Sequence, residues 1–153
     1  LGIKNTLNQS DSNESSRDGM DIALCSIDTK NRILKYAGAN RPLWLFRNAQ
    51  TEIEEFKPTK KAIGGFTDDN QLFDTHKIQF EQNDTFYIFT DGYADQFNAK
   101  NRKKLTTRKL KQIMTEIQSK PMKEQEKYLE KFADNWIEGT DQIDDILVMG
   151  VRF

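Results

Sequence analysis

The sequence predicts an α+β protein in which antiparallel β-sheet layers pack with flanking helices. Three observations carry that prediction. Short apolar runs separated by polar turns fill residues 21–90, two segments with apolar residues at helical spacing follow, and one further apolar run closes the chain.

Taken in order, Leu1 to Gln9 reads as the tail of a helix, with Leu1, Ile3 and Leu7 as its apolar positions, and gives way to the polar loop Ser10 to Ser16. Ile22–Ile27 and Ile33–Gly38 flank Asp28-Thr29-Lys30-Asn31 and read as a hairpin. Leu43–Arg47 is a third strand and Glu52–Phe56 an edge-like fourth. The glycines of Ile63-Gly64-Gly65-Phe66 supply a tight turn, after which Phe73–Phe80 alternates with Lys77 and Gln79 as a half-exposed strand does. Thr85–Phe89 is almost continuously apolar, the pattern of a strand buried on both faces.

Beyond Asp91 the period changes. Leu110, Ile113, Met114 and Ile117 fall on one helical face, and Leu129, Phe132, Ala133 and Trp136 repeat that spacing in a second helix that Pro121 helps to start. Ile143–Phe153 reads as a final buried strand led by two carboxylates.

A chain of 153 residues is long enough for one domain with a real core. Hydrophobic residues at 36% and charged residues at 31% describe a globular protein with a well-solvated surface. The net charge of -1 provides no overall field to attract nucleic acid or an anionic membrane. Cys25, the single cysteine, excludes an intrachain disulfide framework or thiolate zinc site; within its apolar run it reads as a small buried hydrophobe, in keeping with a reducing cytoplasm. No apolar run approaches a membrane span and no signal pattern opens the chain, which begins with Leu1 rather than methionine, as a piece of a longer protein would.

Three acidic residues sit where chemistry could use them. Asp91 follows the strand ending at Phe89, and Asp144 and Asp145 precede the last strand. If those two strands are antiparallel neighbours, the end of one meets the start of the other and the carboxylates converge. Carboxylates on rigid strands suit hard divalent cations such as Mg²⁺ or Mn²⁺, which prefer oxygen ligands. Against this stands a plain alternative: Asp-Gly after a strand is a common turn, and Asp-Asp before one is a common solvated boundary. The residues alone leave both readings open.

The segments "DGMDIALCSID", "YAGANRPLWLFRN", "IGG", "DTFYIFTDGYADQF" and "QIDDILVMGVR", in that order, resemble the C-terminal part of a PPM-type (protein phosphatase 2C-like), SpoIIE-like bacterial serine phosphatase domain. The resemblance runs from about Asp18 to Phe153, with residues 1–17 as helix tail and polar loop ahead of it. It implies part of a phosphatase β-sandwich. It also implies that Asp91, in the T-D-G motif, and Asp144, first of the acidic pair, bind Mn²⁺ or Mg²⁺ in a two-metal centre whose bridging water attacks a phosphoserine or phosphothreonine in line. Asp145 matches a place where the family has Asn or Asp and is read as supporting. Gly92 matches the small residue that lets the backbone approach the site.

The family's opening G-D-x-x-G-H-G motif, whose aspartate bridges both metals, has no counterpart in this chain. The first strands and two helices are also missing. Two carboxylates without the bridging one make a weak site, since affinity depends on ligand number and charge. The chain is accordingly expected to be a phosphatase segment inactive by itself. The rival expectation is a non-catalytic interaction module with the phosphatase fold.

Other features read mostly as structure. No metal role falls on Asp18 or Asp21, and Gly19 serves the turn into the strand. His76, the only histidine, reads as an exposed structural residue, with general acid as the alternative. Ala37-Gly38-Ala39-Asn40 reads as packing and loop, and Trp44 and Trp136 as core. Lys100 to Lys111 carries seven basic residues in twelve without interleaved aromatics. A solvated helix start accounts for it; alternatively Lys103 and Lys104 steer an anionic phosphoprotein toward the site. The implied partner is a phosphorylated protein, by resemblance of the anti-sigma-factor-antagonist type, met in the cytoplasm by a domain of a larger sensor, with no nucleic acid bound and no direct membrane insertion. Apolar surface left open by the missing strands makes self-association an expectation as well.

Overall fold

The computed structural model describes residues 18–48 and 50–153, so the helix tail and loop expected over residues 1–17 lie outside the described residues. In chain order the elements are β1 (Gly19–Met20), β2 (Ile22–Asp28), β3 (Ile33–Ala39), β4 (Leu43–Phe46), β5 (Ile53–Phe56), β6 (Ile63–Gly64), β7 (Thr75–Gln79), β8 (Thr85–Phe89), α1 (Gly92–Asp95), α2 (Thr107–Ile117), α3 (Met122–Ile137) and β9 (Val148–Arg152). This is the α+β composition the sequence predicts, with antiparallel sheets and three helices among the described residues. Two compact units share the chain. The first comprises the described residues 18–43 with Phe56–Phe80, and the second Trp44–Glu55 with Glu81–Phe153.

In the first unit, β2 and β3 form the expected hairpin in continuous register from Ile22↔Ala39 to Asp28↔Ile33. Asp28 closes its turn: the carboxylate accepts from the Asn31 backbone N–H at 3.0 Å and from the Asn31 side chain at 2.7 Å. The side-chain bond from Asn31, which favours the charged form, is the chief cause holding the Asp28 carboxyl below its ordinary range. β3 pairs on its other side with β7, leaving β2 at an edge of the three-stranded sheet. Leu34, Tyr36, Ala39, Ile78 and Phe80 are buried, whereas Leu24 and Ile27 of β2 are exposed.

Cys25, His76 and Gly19 sit differently from what their sequence context predicts. Cys25 is half-buried rather than buried, because β2 lies at the sheet edge; burial still pushes its thiol up to about 11. His76 is half-buried, not exposed. It stacks on Tyr36 with ring centroids 5.6 Å apart, meets Phe56 edge-on at 5.5 Å, and places Nε2 3.1 Å from the Lys57 carbonyl. Gly19 lies in β1 opposite Gly64, where an added Cβ would come within 2.6 Å of the Ala62 Cβ; its smallness serves strand pairing rather than a turn. Gly64 and Gly65 do make the tight turn, at φ of 86° and 57°, a region open to glycine.

The second unit has a four-stranded sheet in the order β5-β4-β8-β9. β8 occupies an interior position, which explains its nearly continuous apolar sequence and burial. α2 buries the predicted stripe of Leu110, Ile113, Met114 and Ile117, and Thr106 caps it by accepting from the Lys109 N–H at 3.4 Å. Pro121 stands at the N-cap of α3, and Leu129 joins the core while Phe132, Ala133 and Trp136 pack half-buried against it. Trp44 is fully buried, its ring 4.2 Å from that of Phe89.

The last strand differs from the reading of Ile143–Phe153 as one buried element. Pairing begins only at Val148, and β9 is a half-exposed edge strand with Met149 and Gly150 on alternate sides of differing burial. Residues 143–147 stay outside the strand because side chains take several of their backbone groups, as described below.

Candidate metal centre

The geometry starts from strand pairing. β8 and β9 are antiparallel in the register Thr85↔Arg152 to Phe89↔Val148, so the C-terminal end of one abuts the N-terminal end of the other. One rung continues past them, from the Thr90 N–H to the Leu147 carbonyl at 3.0 Å. The segments carrying Asp91 and Asp144 are thereby brought together, as the sequence reading required.

Asp91 is half-buried at the N-cap of α1, and its carbonyl accepts from the Asp95 N–H at 2.9 Å. Gly92, the first residue of α1, is buried. A Cβ at Gly92 would collide with the Asp145 carbonyl oxygen, lie 2.9 Å from its carbon and 3.2 Å from the Asp144 carbonyl oxygen. Only a residue without a side chain permits this approach of the T-D-G turn to the Asp144-Asp145 backbone. Asp144 is exposed, and its Oδ1 accepts from the Asp145 N–H at 2.8 Å; Asp145 is also exposed.

Two side chains to which the sequence reading assigned no role fasten these segments. Thr90 Oγ1 donates to the Asp145 carbonyl at 2.8 Å and accepts from the Leu147 N–H at 2.9 Å. Gln96, which is 2% exposed, donates through Nε2 to the Asp141 carbonyl at 2.9 Å and accepts through Oε1 from the Ile143 N–H at 3.2 Å. Its own carbonyl accepts from Trp136 Nε1 at 3.0 Å. Both residues lie in the quoted segment DTFYIFTDGYADQF, Thr90 within T-D-G itself, but nothing local marks the glutamine as buried.

Tyr93, the second residue of α1, anchors the helix by donating from its hydroxyl to the Leu129 carbonyl at 2.8 Å. Burial raises its phenol well above the ordinary value, so this donor keeps its proton.

The basic run is divided between a loop and a helix. Lys100 to Lys104 lie in the loop, tied down where the Asn98 side chain accepts from the Lys100 N–H at 3.1 Å, and helix α2 begins only at Thr107. Lys104 pairs with Asp95 at 3.2 Å and stands over the Phe97 ring at 5.7 Å; Lys103 is exposed beside it. The pair is itself exposed and contributes little stability.

As donors, the carboxylates of Asp91 and Asp144 fit a hard divalent cation, and the Gly92 approach fits a site built from these two turns. The set is partial. Among the described residues no three or more His, Cys, Asp or Glu side chains form a group able to hold a metal ion. Nor is any described helix long and apolar enough to cross a membrane.

Comparison with known proteins places this geometry in a family. The SiaA-PP2C domain of Pseudomonas aeruginosa superposes with a TM-score of 0.82 at 23% identity, covering 99% of this chain and 56% of that one. The phosphatase domain of the cell fate determinant SpoIIE from Bacillus subtilis gives a TM-score of 0.63 at 15% identity, covering 99% and 63%; a manganese-presoaked form of that domain matches equally well, with a TM-score of 0.63. RsbX in complex with magnesium gives 0.53 at 19% identity, covering 86% and 55%. The chain thus spans between 55% and 63% of the lengths of these three proteins. No curated protein matches the chain. The model of the family described as stage II sporulation protein E (SpoIIE) matches residues 3–153, and the chain therefore belongs to the SpoIIE family, with the fold of part of a PP2C-type phosphatase domain.

Proposed function

We propose that the chain is the C-terminal portion, over residues 18–153, of a metal-dependent phosphatase domain acting on phosphoserine or phosphothreonine in a partner protein. The single observation that carries this reading is the approach of the Gly92 turn to the Asp144-Asp145 backbone at the β8–β9 junction. Asp91 and Asp144 would contribute carboxylates to Mn²⁺ or Mg²⁺, in line with the manganese-presoaked SpoIIE domain and the magnesium complex of RsbX among the structural relatives. Such a cation, when bound, supplies Lewis acidity for attack of water on a phosphoryl group. The chain's own part is to hold the two carboxylates on rigid, hydrogen-bonded turns, with Gly92 permitting their approach and Asp145 supporting it. Lys103, exposed beside α1, provides positive charge for an anionic phosphoprotein, with Lys104 adding charge while paired to Asp95.

The domain is read as a cytoplasmic part of a signalling protein whose substrate is of the anti-sigma-factor-antagonist type. With a partial ligand set, the chain alone is expected to be inactive. An assay of phosphate release from a phosphoserine peptide with Mn²⁺ should show no turnover by these 153 residues, and turnover matching a complete domain would sink the expectation of inactivity while supporting the phosphatase itself.

A second reading, a non-catalytic module with the phosphatase fold, is favoured by the absence of a larger ligand group among the described residues. The coding sequence upstream of Leu1 separates the two. A G-D-x-x-G-H-G stretch there supports the enzyme, and a coding sequence without one supports the module.

A further inference from the structure

The segment 141–147 lies ahead of β9 and carries Asp144 and Asp145, yet strand pairing holds it only through the single rung at Leu147. Its backbone is gripped at alternate residues. Gln96 takes the Asp141 carbonyl and the Ile143 N–H, and Thr90 takes the Asp145 carbonyl and the Leu147 N–H. Between these grips, Gln142 Nε2 donates to the Asp144 carbonyl at 2.8 Å.

An amide and a hydroxyl suit this task because each combines a donor and an acceptor, so each can hold two backbone groups of opposite polarity. A carboxylate or an ammonium could satisfy only one of them. The grips start from the same short stretch as Asp91: Thr90 precedes it, and Gln96 caps the C-terminus of α1, its N–H donating to the Gly92 carbonyl at 3.1 Å. Trp136 of α3 holds Gln96 in place through the indole bond to its carbonyl. A buried amide with both ends engaged cannot swing away without leaving its partners unpaired, a loss that makes the position rigid.

We infer that Gln96, with Thr90, is a positioning residue that sets the spacing between Asp91 and Asp144. This rests on the reading that the two carboxylates serve one metal centre. Gln96 acts through the backbone of residues 141–143 rather than by touching a cation. Residues that orient metal ligands in this way typically change metal affinity by about 10–100-fold when replaced.

The test is an amide-resolved NMR titration of the whole chain with MnCl₂, in which paramagnetic broadening reports even weak binding. Gly92 and Asp145, which lie in contact, should broaden together in wild type with one Mn²⁺ midpoint. Gln96→Met keeps the length of the side chain and removes both polar ends. It should raise that common midpoint by about tenfold or more while the rest of the spectrum stays folded. Gln96→Glu retains an acceptor for Ile143 but loses the donor to Asp141, and should raise the midpoint in the same sense, which covers the case in which the methionine variant fails to fold. Thr90→Val should raise it and Thr90→Ser should restore the wild-type midpoint, a rescue that a space-filling role does not predict.

A wild-type midpoint in both folded Gln96 variants overturns the positioning role and leaves the metal reading standing. Broadening that Asp91→Asn leaves unchanged overturns the metal reading itself, and the positioning role with it.

Discussion

Two of the edge strands, β2 in the first unit and β9 in the second, look alike in sequence and differ in how the fold uses them. Each is a short apolar run at the end of an antiparallel sheet. β2 is joined to its neighbour by seven continuous register pairs and a four-residue turn, yet exposes Leu24 and Ile27. β9 has five register pairs, and its approach is fastened by side chains from the far end of β8 and from α1. Local hairpin closure orders β2 without help from distant residues. β9 is joined to β8 across α1, α2 and α3, so its placement needs long-range bonds, and those bonds collect where the acidic residues lie.

The largest expected effect comes from breaking the β9 side at Gly92. Gly92→Ala drives a methyl group into the Asp145 backbone, which cannot move aside as a flexible side-chain end could. Overpacking of this kind costs about 1–3 kcal/mol, read as a lower urea midpoint at unchanged m-value. Faster amide exchange should be confined to residues near Thr90 and Leu147. An unchanged midpoint would mean that the approach is slack.

A smaller effect belongs to Cys25 on the β2 side. Burial raises its thiol from the ordinary value of 9.0 to about 11. The neutral form is thus favoured in the folded state, so the stabilisation is fully present below the unfolded value of 9.0 and is lost as pH rises through about 11. Because the residue is only half-buried, iodoacetamide labelling at pH 8 should be about tenfold slower than for a free thiol, a discount on the full shift. Labelling with an inflection at the ordinary thiol value would show β2 to be open.

The smallest change in stability is expected at Leu24, which is 64% exposed. Leu24→Thr should shift stability by no more than about 0.5 kcal/mol, while lowering any concentration-dependent association seen by sedimentation. A loss as large as that of Gly92→Ala would mean that the β2 surface is packed in solution. The comparison between the two edges would then fail.

Much of the fold was legible because its signals are local. The alternation of β7, the continuous apolar run of β8, the helical stripe of α2 and the Gly64-Gly65 turn each depend on backbone geometry over a few residues, and each was readable. The candidate site was half legible. Asp91 and Asp144 stand out as carboxylates at strand ends, and the approach of their turns follows once β8 and β9 pair. The extent of β9 was not readable, because an apolar run does not reveal which backbone groups a side chain will claim. His76 and Cys25 were misplaced in burial for a related reason: exposure depends on neighbours contributed by other elements.

By itself, then, the sequence determined the kinds of element, their order and the acidic residues at the ends of two strands. These follow from side-chain periodicity and turn chemistry. Only the tertiary structure decided that β9 would lie at an edge, that Lys104 would be engaged by Asp95, and that Thr90 and Gln96 would grip the segment carrying Asp144. The bonds from those two residues span 45 to 57 positions of chain, and hydrogen-bond partners so far apart are chosen by packing rather than by any local pattern.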